Sequence, residues 1–172
     1  MEQHERHREL TCTDPNDERL CLAELKQSGQ FGQLNDFISL DYMTVTVNVA
    51  GTLYFRANDG INGTELWRSD GTEEGTVLVA NIAGGNVNSD PASLVNVGGT
   101  LFFTASETVH GRELWKSDGT EAGTVMVKDI RPGSFPSVTN YYTALDMAAA
   151  NGVLFFAATD GVTGLELWKS DG

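Results

Sequence analysis

The chain has 172 residues, 40 % of them hydrophobic, with 19 Gly, 4 Pro, and 24 acidic against 11 basic residues. That is enough chain to bury one ordinary core. The net charge of −13 argues against partners held through phosphates, since nucleic acid and anionic membrane would both be repelled. No apolar run reaches the roughly twenty residues that a membrane-crossing helix needs.

Residues 1–40 form a non-repeat N-terminal segment. Its start, Met1-Glu-Gln-His-Glu-Arg-His-Arg-Glu, has no apolar stretch and is not a secretory signal. Either the protein stays inside the cell or the native beginning lies upstream. His4 and His7 are read as part of a solvated terminus rather than a metal pair. A short helix is predicted from Asp14 or Pro15 to about Ser28: Asp14 caps it, Pro15 suits its first turn, Asp17 and Glu18 favour the positive end of its dipole, and Gly29 stops it. Leu20, Leu22 and Leu25 give it a partly apolar face. The two cysteines, Cys12 and Cys21, are consistent with a disulfide or with two unrelated thiols. Too few further ligands stand near them for a metal site.

From about Asp41 the pattern changes to short β-rich runs separated by glycines, and the chain repeats itself. Glu65-Leu-Trp-Arg-Ser-Asp-Gly-Thr-Glu-Glu-Gly-Thr76 returns as Glu113-Leu-Trp-Lys-Ser-Asp-Gly-Thr-Glu-Ala-Gly-Thr124, and a third copy runs from Glu166 to Gly172. Trp67 and Trp115 are 48 residues apart and Trp115 and Trp168 are 53 apart, intervals shared by Gly51, Gly99 and Gly152. The five extra residues fall most simply in the Arg131-to-Tyr142 loop. Repeats of this length with several strands each are the signature of propeller blades.

The middle copy has four strand candidates, Ala92–Val97, Thr100–Ala105, Glu113–Ser117 and Val125–Ile130. The joints are short, so neighbours pair as an antiparallel meander. Leu101-Phe-Phe and Val125-Met-Val are apolar without alternation, which implies sheets covered on both faces. The expected fold is therefore all-β: a partial β-propeller of about three four-stranded antiparallel blades (blade 1 41–83, blade 2 91–131, blade 3 143–172 and incomplete) behind the N-terminal segment. Three blades do not easily close a ring. The last copy is cut short, so the chain is expected to be a fragment whose end sheet faces are exposed and prone to association. Phe37 to Leu40 is a candidate for the missing edge strand.

The repeated residues each admit a structural and a functional reading. Asp70-Gly71, Asp118-Gly119 and Asp171-Gly172 read as turn builders, Asp accepting backbone N–H bonds and Gly taking positive φ. Gly123 is expected to let the chain turn back. The alternative is a calcium loop using Asp70 with Glu73 or Asp118 with Glu121, but the oxygens are too few and lack the required alternation. Calcium is the one cofactor these loops could take. Trp67, Trp115 and Trp168 read as packing rings against the next blade, or alternatively as a ladder for sugar rings. Glu65, Glu113 and Glu166 are expected to accept backbone or Thr bonds from a neighbouring blade, the alternative being a convergent acid group for cations or acid/base chemistry.

Asp59-Gly60-Ile-Asn-Gly63 and Asp160-Gly161-Val-Thr-Gly164 agree, whereas the middle copy reads Glu107-Thr-Val-His-Gly111. Such variation suits a hairpin better than a common binding site, and His110 reads as a surface residue. Phe135, Tyr141 and Tyr142 form the one aromatic cluster outside the repeat pattern, in the longest loop: a binding loop or a space-filling wedge.

These residues closely resemble the bacterial ELWxxDGT repeat family over about Asp41 to Gly172, through Glu65–Thr72, Glu113–Thr120 and the flanking Gly-Thr-Leu-Phe-Phe and Gly-Thr-Val-Met-Val-Lys-Asp-Ile-Arg-Pro-Gly segments. The resemblance implies a β-propeller-like array in large secreted or surface-associated bacterial proteins, with no established activity. The Ser-Asp-Gly-Thr turn is also similar, more distantly, to the Asp-box turn of sialidase propellers. Its spacing is not met, and no arginine cluster accompanies it. The functional expectation is a non-catalytic interaction module at the cell surface or outside the cell, joined by further blades of the same protein and binding protein or glycan through its loops. A fragment of a propeller hydrolase and a calcium-stabilised surface structure are the alternatives.

Overall fold

The computed structural model of the protein describes residues 45–138 and 147–172. The expected N-terminal helix, both cysteines, Phe37 to Leu40, and Tyr141 and Tyr142 lie outside the described residues. Within them the fold is all-β, with no helix. Strands β1 (Thr46–Val49), β2 (Thr52–Asn58), β3 (Thr64–Ser69) and β4 (Val77–Ala80) form one antiparallel sheet in chain order. Strands β5 (Ala92–Val97), β6 (Thr100–Glu107), β7 (Gly111–Ser117) and β8 (Val125–Lys128) form a second of identical topology. Strands β9 (Ala148–Ala150), β10 (Val153–Ala158) and β11 (Glu166–Ser170) form a third, three-stranded sheet.

The first hairpin of each sheet closes through a two-residue turn in which both central residues have positive φ: Ala50-Gly51, Gly98-Gly99 and Asn151-Gly152. That mirror-image turn matches the right-handed twist of the strands. The side chains of Asn48 and Asn96 accept the N–H groups of Gly51 and Gly99, at 2.9 Å each. Asn96 also donates to the carbonyl of Asn48 at 3.2 Å, tying one turn to the next. Strand β1 thereby neighbours β5, and β5 neighbours β9.

The sheets pack face to face. Tyr54, Leu66 and Val79 of the first meet Leu101, Phe103, Ala105 and Trp115 of the second. The opposite face of the second sheet, Phe102 and Leu114, meets Leu154, Phe156, Ala158 and Trp168 of the third. One interface is thus built twice from corresponding residues. Strand β6 is buried along its central residues because sheets cover both its faces, as its unbroken apolar run predicts. Strand β8 departs from that expectation: Val125 is exposed and Met126 and Val127 only half-buried. As the outermost strand of its sheet, β8 is paired on one side only, and its apolar run does not mark a doubly covered position.

A register shift interrupts the β3–β4 pairing between Leu66 and Trp67 and the β7–β8 pairing between Leu114 and Trp115. Such a bulge sharpens the local twist, and it occurs at the same place in both sheets. The corresponding leucines mark where stacking stops. Leu66 and Leu114 are 0 % and 1 % exposed, whereas Leu167 on the third sheet is 78 % exposed.

Candidate functional site

The polar residues of the first two copies are engaged in bonds within the fold: the Asp-Gly-Thr turns bond locally at the surface, and the glutamates bond in the interior. Asp70 Oδ1 accepts the Thr72 N–H at 2.9 Å and the Thr72 hydroxyl at 2.7 Å, and the same hydroxyl accepts the Gly75 N–H at 2.9 Å. Asp118, Thr120 and Gly123 reproduce these bonds at the same distances. The bonds from Thr72 hold Asp70 below the ordinary carboxylate range, and those from Thr120 do the same for Asp118. Below each turn the hydroxyls of Ser69 and Thr76, and of Ser117 and Thr124, lie 2.8 Å apart.

Gly75 and Gly123 are required here for a reason different from the expected one. Neither has positive φ. A Cβ at either position would instead overlap the Asp70 or Asp118 carboxylate. Gly119 does adopt positive φ, and a side chain there would meet the Tyr54 hydroxyl of the preceding sheet. The outward-facing Glu73 and Glu121 side chains are exposed. No group of three or more His, Cys, Asp or Glu side chains able to hold a metal ion occurs among the described residues.

Glu65 and Glu113 are wholly buried. Glu65 accepts the Ser89 hydroxyl at 2.5 Å, the Ser89 N–H at 3.2 Å and the Ile82 N–H at 3.0 Å. Glu113 accepts the Ser137 hydroxyl at 2.5 Å and the Ile130 N–H at 3.2 Å. The donors come from the connection leading to the next sheet, and the hydroxyls are Ser rather than Thr. Each carboxylate therefore pins the segment that launches the following sheet. Burial raises the pKa of both, and the bonds from Ser89 and Ser137 offset this only in part. Glu166 differs from its counterparts, being exposed with its strand at the edge of the third sheet.

Trp115 and Trp168 are half-buried against the preceding sheet. The Trp168 indole donates to the Ala158 carbonyl at 3.1 Å, and Lys128 lies 5.3 Å from its ring centre. Both tryptophans contribute to the stacking interfaces. Trp67 is also half-buried, on the first sheet.

The β2–β3 loops share a mechanism that the sequence disguises. Asp59 accepts the N–H groups of Ile61 and Asn62 at 2.9 and 2.8 Å, and Asp160 those of Val162 and Thr163 at 2.8 and 2.9 Å. Glu107 accepts those of Val109 and His110 at 2.9 and 2.5 Å, the longer side chain doing the same work. Its carboxylate also bonds His110 Nδ1. In the connection after β8, Phe135 is exposed with the Arg131 guanidinium 4.9 Å from its ring centre.

Three structural residues escaped sequence reasoning. Ser89 and Ser137 stand at the 48-residue interval, a signal that was available. Arg112 has no counterpart in the other copies, which carry Thr64 and Leu165. It is buried, donating to the Asp90 carbonyl at 2.8 Å and the Thr104 hydroxyl at 3.1 Å. Compared with protein-family models, curated proteins and solved structures, the chain has no significant match.

Proposed function

We propose that the chain is a stretch of a β-propeller-like array of ELWxxDGT repeats that serves as a non-catalytic interaction module of a secreted or surface-associated bacterial protein. The observation that carries this reading is that the repeated acids of the first two copies are engaged by bonds within the fold itself. Glu65 and Glu113 are buried and bonded to the inter-sheet connections. Asp70 and Asp118 are occupied by their own turns. Catalytic acids must reach a substrate, and calcium needs six or more open oxygens; these carboxylates are committed elsewhere. What varies between copies is the loops, including the connection bearing Arg131 and Phe135, to which Tyr141 and Tyr142 belong in sequence. That loop is the candidate contact for a protein or glycan.

The exposed Leu167 face supports a second element of the reading. It corresponds to the faces that bury Leu66 and Leu114, so a further sheet of the same kind is its fitting cover. The functional test is binding and turnover measured side by side on the full-length protein. Saturable binding of a protein or glycan is expected to weaken when Phe135, Tyr141 and Tyr142 are changed to Ser and to survive Glu113→Gln. Hydrolysis of any substrate that depends on Glu113 would refute the reading.

A further inference from the structure

Most exposed large apolar side chains among the described residues follow one rule of position. Ile61, Val109 and Val162 occupy corresponding places in the three β2–β3 loops, and Val87 and Phe135 corresponding places in the two connections between sheets. All five are between 45 % and 86 % exposed. The only others are Leu165 and Leu167 at the third sheet's open end, and Val125.

Topology puts the five along one edge of the stack. In an antiparallel meander the β2–β3 loop and the connection that follows β4 lie at the same end, opposite the β1–β2 and β3–β4 turns. Local packing joins them in sequence. A Cβ on Gly63 would lie 2.5 Å from the Val87 carbonyl oxygen, and one on Gly111 would lie 2.9 Å from the Phe135 carbonyl carbon. Each connection then bonds the following loop's strand: Ser106 N–H to the Ser89 carbonyl at 2.8 Å, and Thr159 N–H to the Ser137 carbonyl at 2.9 Å. The five therefore follow one another along that edge in the order Ile61, Val87, Val109, Phe135, Val162.

Turn formation does not call for these side chains. Tight turns favour Gly, Asn, Asp and Ser, each for its backbone or bonding properties, whereas Ile and Val suit strands. Here the acid two residues earlier fixes the backbone by accepting the N–H of Ile61, Val109 or Val162, leaving the side chain outside. A single exposed aliphatic residue needs no explanation, but an aligned row does.

The geometry points to this rim as a docking surface for a basic protein segment that presents aliphatic side chains alternating with Lys or Arg. The inference rests on the reading of the chain as an interaction module and specifies its surface and partner chemistry. Charge selects the occupant. Asp59, Glu107 and Asp160 recur between the apolar residues, and each is held below the ordinary carboxylate range. Burial pushes Asp59 and Glu107 up, but the loop N–H bonds outweigh it; in Asp160 those bonds dominate outright. The rim thus carries a recurring carboxylate beside each of its loop aliphatics, with Arg131 against Phe135 and His110 bonded to Glu107 as its counter-charges, on a chain of net charge −13. A second copy would bring like charge to like charge, and four of the five side chains are β-branched aliphatics that offer no flat ring for stacking a sugar.

The probe is a synthetic peptide of alternating Leu and Lys, titrated into the full-length protein by calorimetry at physiological salt, beside peptides of alternating Ser and Lys and of alternating Leu and Glu. Saturable binding of the Leu/Lys peptide alone is expected, with affinity falling at least tenfold in the Ile61→Ser, Val109→Ser, Val162→Ser triple variant while the melting temperature holds. Equal binding of the Ser/Lys peptide, or unchanged affinity in the triple variant, would overturn the proposal. Self-association of the chain, or adsorption to zwitterionic vesicles, abolished by the triple variant would also overturn it by assigning the rim to another occupant. A partner whose binding survives the triple variant but is lost with Phe135, Tyr141 and Tyr142 would sink this inference and leave the interaction-module reading standing.

Discussion

Leu66, Leu114 and Leu167 are the same residue at the same place in three sheets, yet the first two are fully enclosed and the third is open. Replacing each by Ala therefore measures the stacking of the sheets directly. Truncating a buried Leu removes about three methylene equivalents at ~0.8 kcal/mol each and leaves a cavity that the neighbours only partly fill, for a total of roughly 3–4 kcal/mol. Leu114 lies among Phe102, Leu154, Phe156 and Val138, a wall of rigid rings and branched side chains with little freedom to collapse, so Leu114→Ala belongs at the upper end. Leu167→Ala should cost less than about 0.5 kcal/mol, as is usual at exposed sites. Urea unfolding followed by tryptophan fluorescence at low protein concentration reads both, because Trp115 and Trp168 belong to the two stacking clusters. At about 2–4 °C per kcal/mol for a chain of this size, Leu114→Ala should lower the melting temperature by roughly 10 °C. Equal losses for Leu114→Ala and Leu167→Ala would refute the face-to-face arrangement.

Three further outcomes are expected. Gly75→Ala should lower the melting temperature because the new methyl displaces Asp70, and adding Asp70→Ala should restore part of the loss; simple additivity in a thermal melt would contradict this account. Ala50 is a non-glycine residue at φ 53° where the other copies carry Gly98 and Asn151, so Ala50→Asn should stabilise by up to about 1 kcal/mol in urea. Glu65 and Glu113 have raised folded-state pKa values, so their favourable contribution is complete below the ordinary Glu range and is lost as pH rises through the raised values. Asp70 and Glu107 act oppositely, contributing stability above the ordinary carboxylate range that is lost as pH falls through their lowered values. Wild-type stability should therefore peak in mild acid, and Glu65→Gln with Glu113→Gln should flatten only the alkaline flank; an unchanged flank would refute the assignment.

The local turn chemistry was legible because it is local. Asp118, Thr120 and Thr124 lie within seven residues of one another, and their bonds form inside that span whatever the rest of the chain does. The recurring tryptophans and glycines likewise announced similar sheets, since a pattern of strands and two-residue turns leaves few ways to pair neighbours. The role of Gly123 was less clear, because its need arises from the space an aspartate five residues earlier occupies. The Glu107 loop was read as divergent because a longer side chain can make the same bonds from a different spelling.

Sequence by itself determined the strands, their antiparallel order and the residues that build the turns, all set by interactions over a few positions. Tertiary structure decided which faces meet, that Glu65 and Glu113 pin the following connection through serines 24 residues away, and that Ile61, Val87, Val109, Phe135 and Val162 share one rim. Those relations depend on how separate sheets stack. Residues far apart along the chain become neighbours only when apolar faces are buried together, and no short stretch of sequence contains that information.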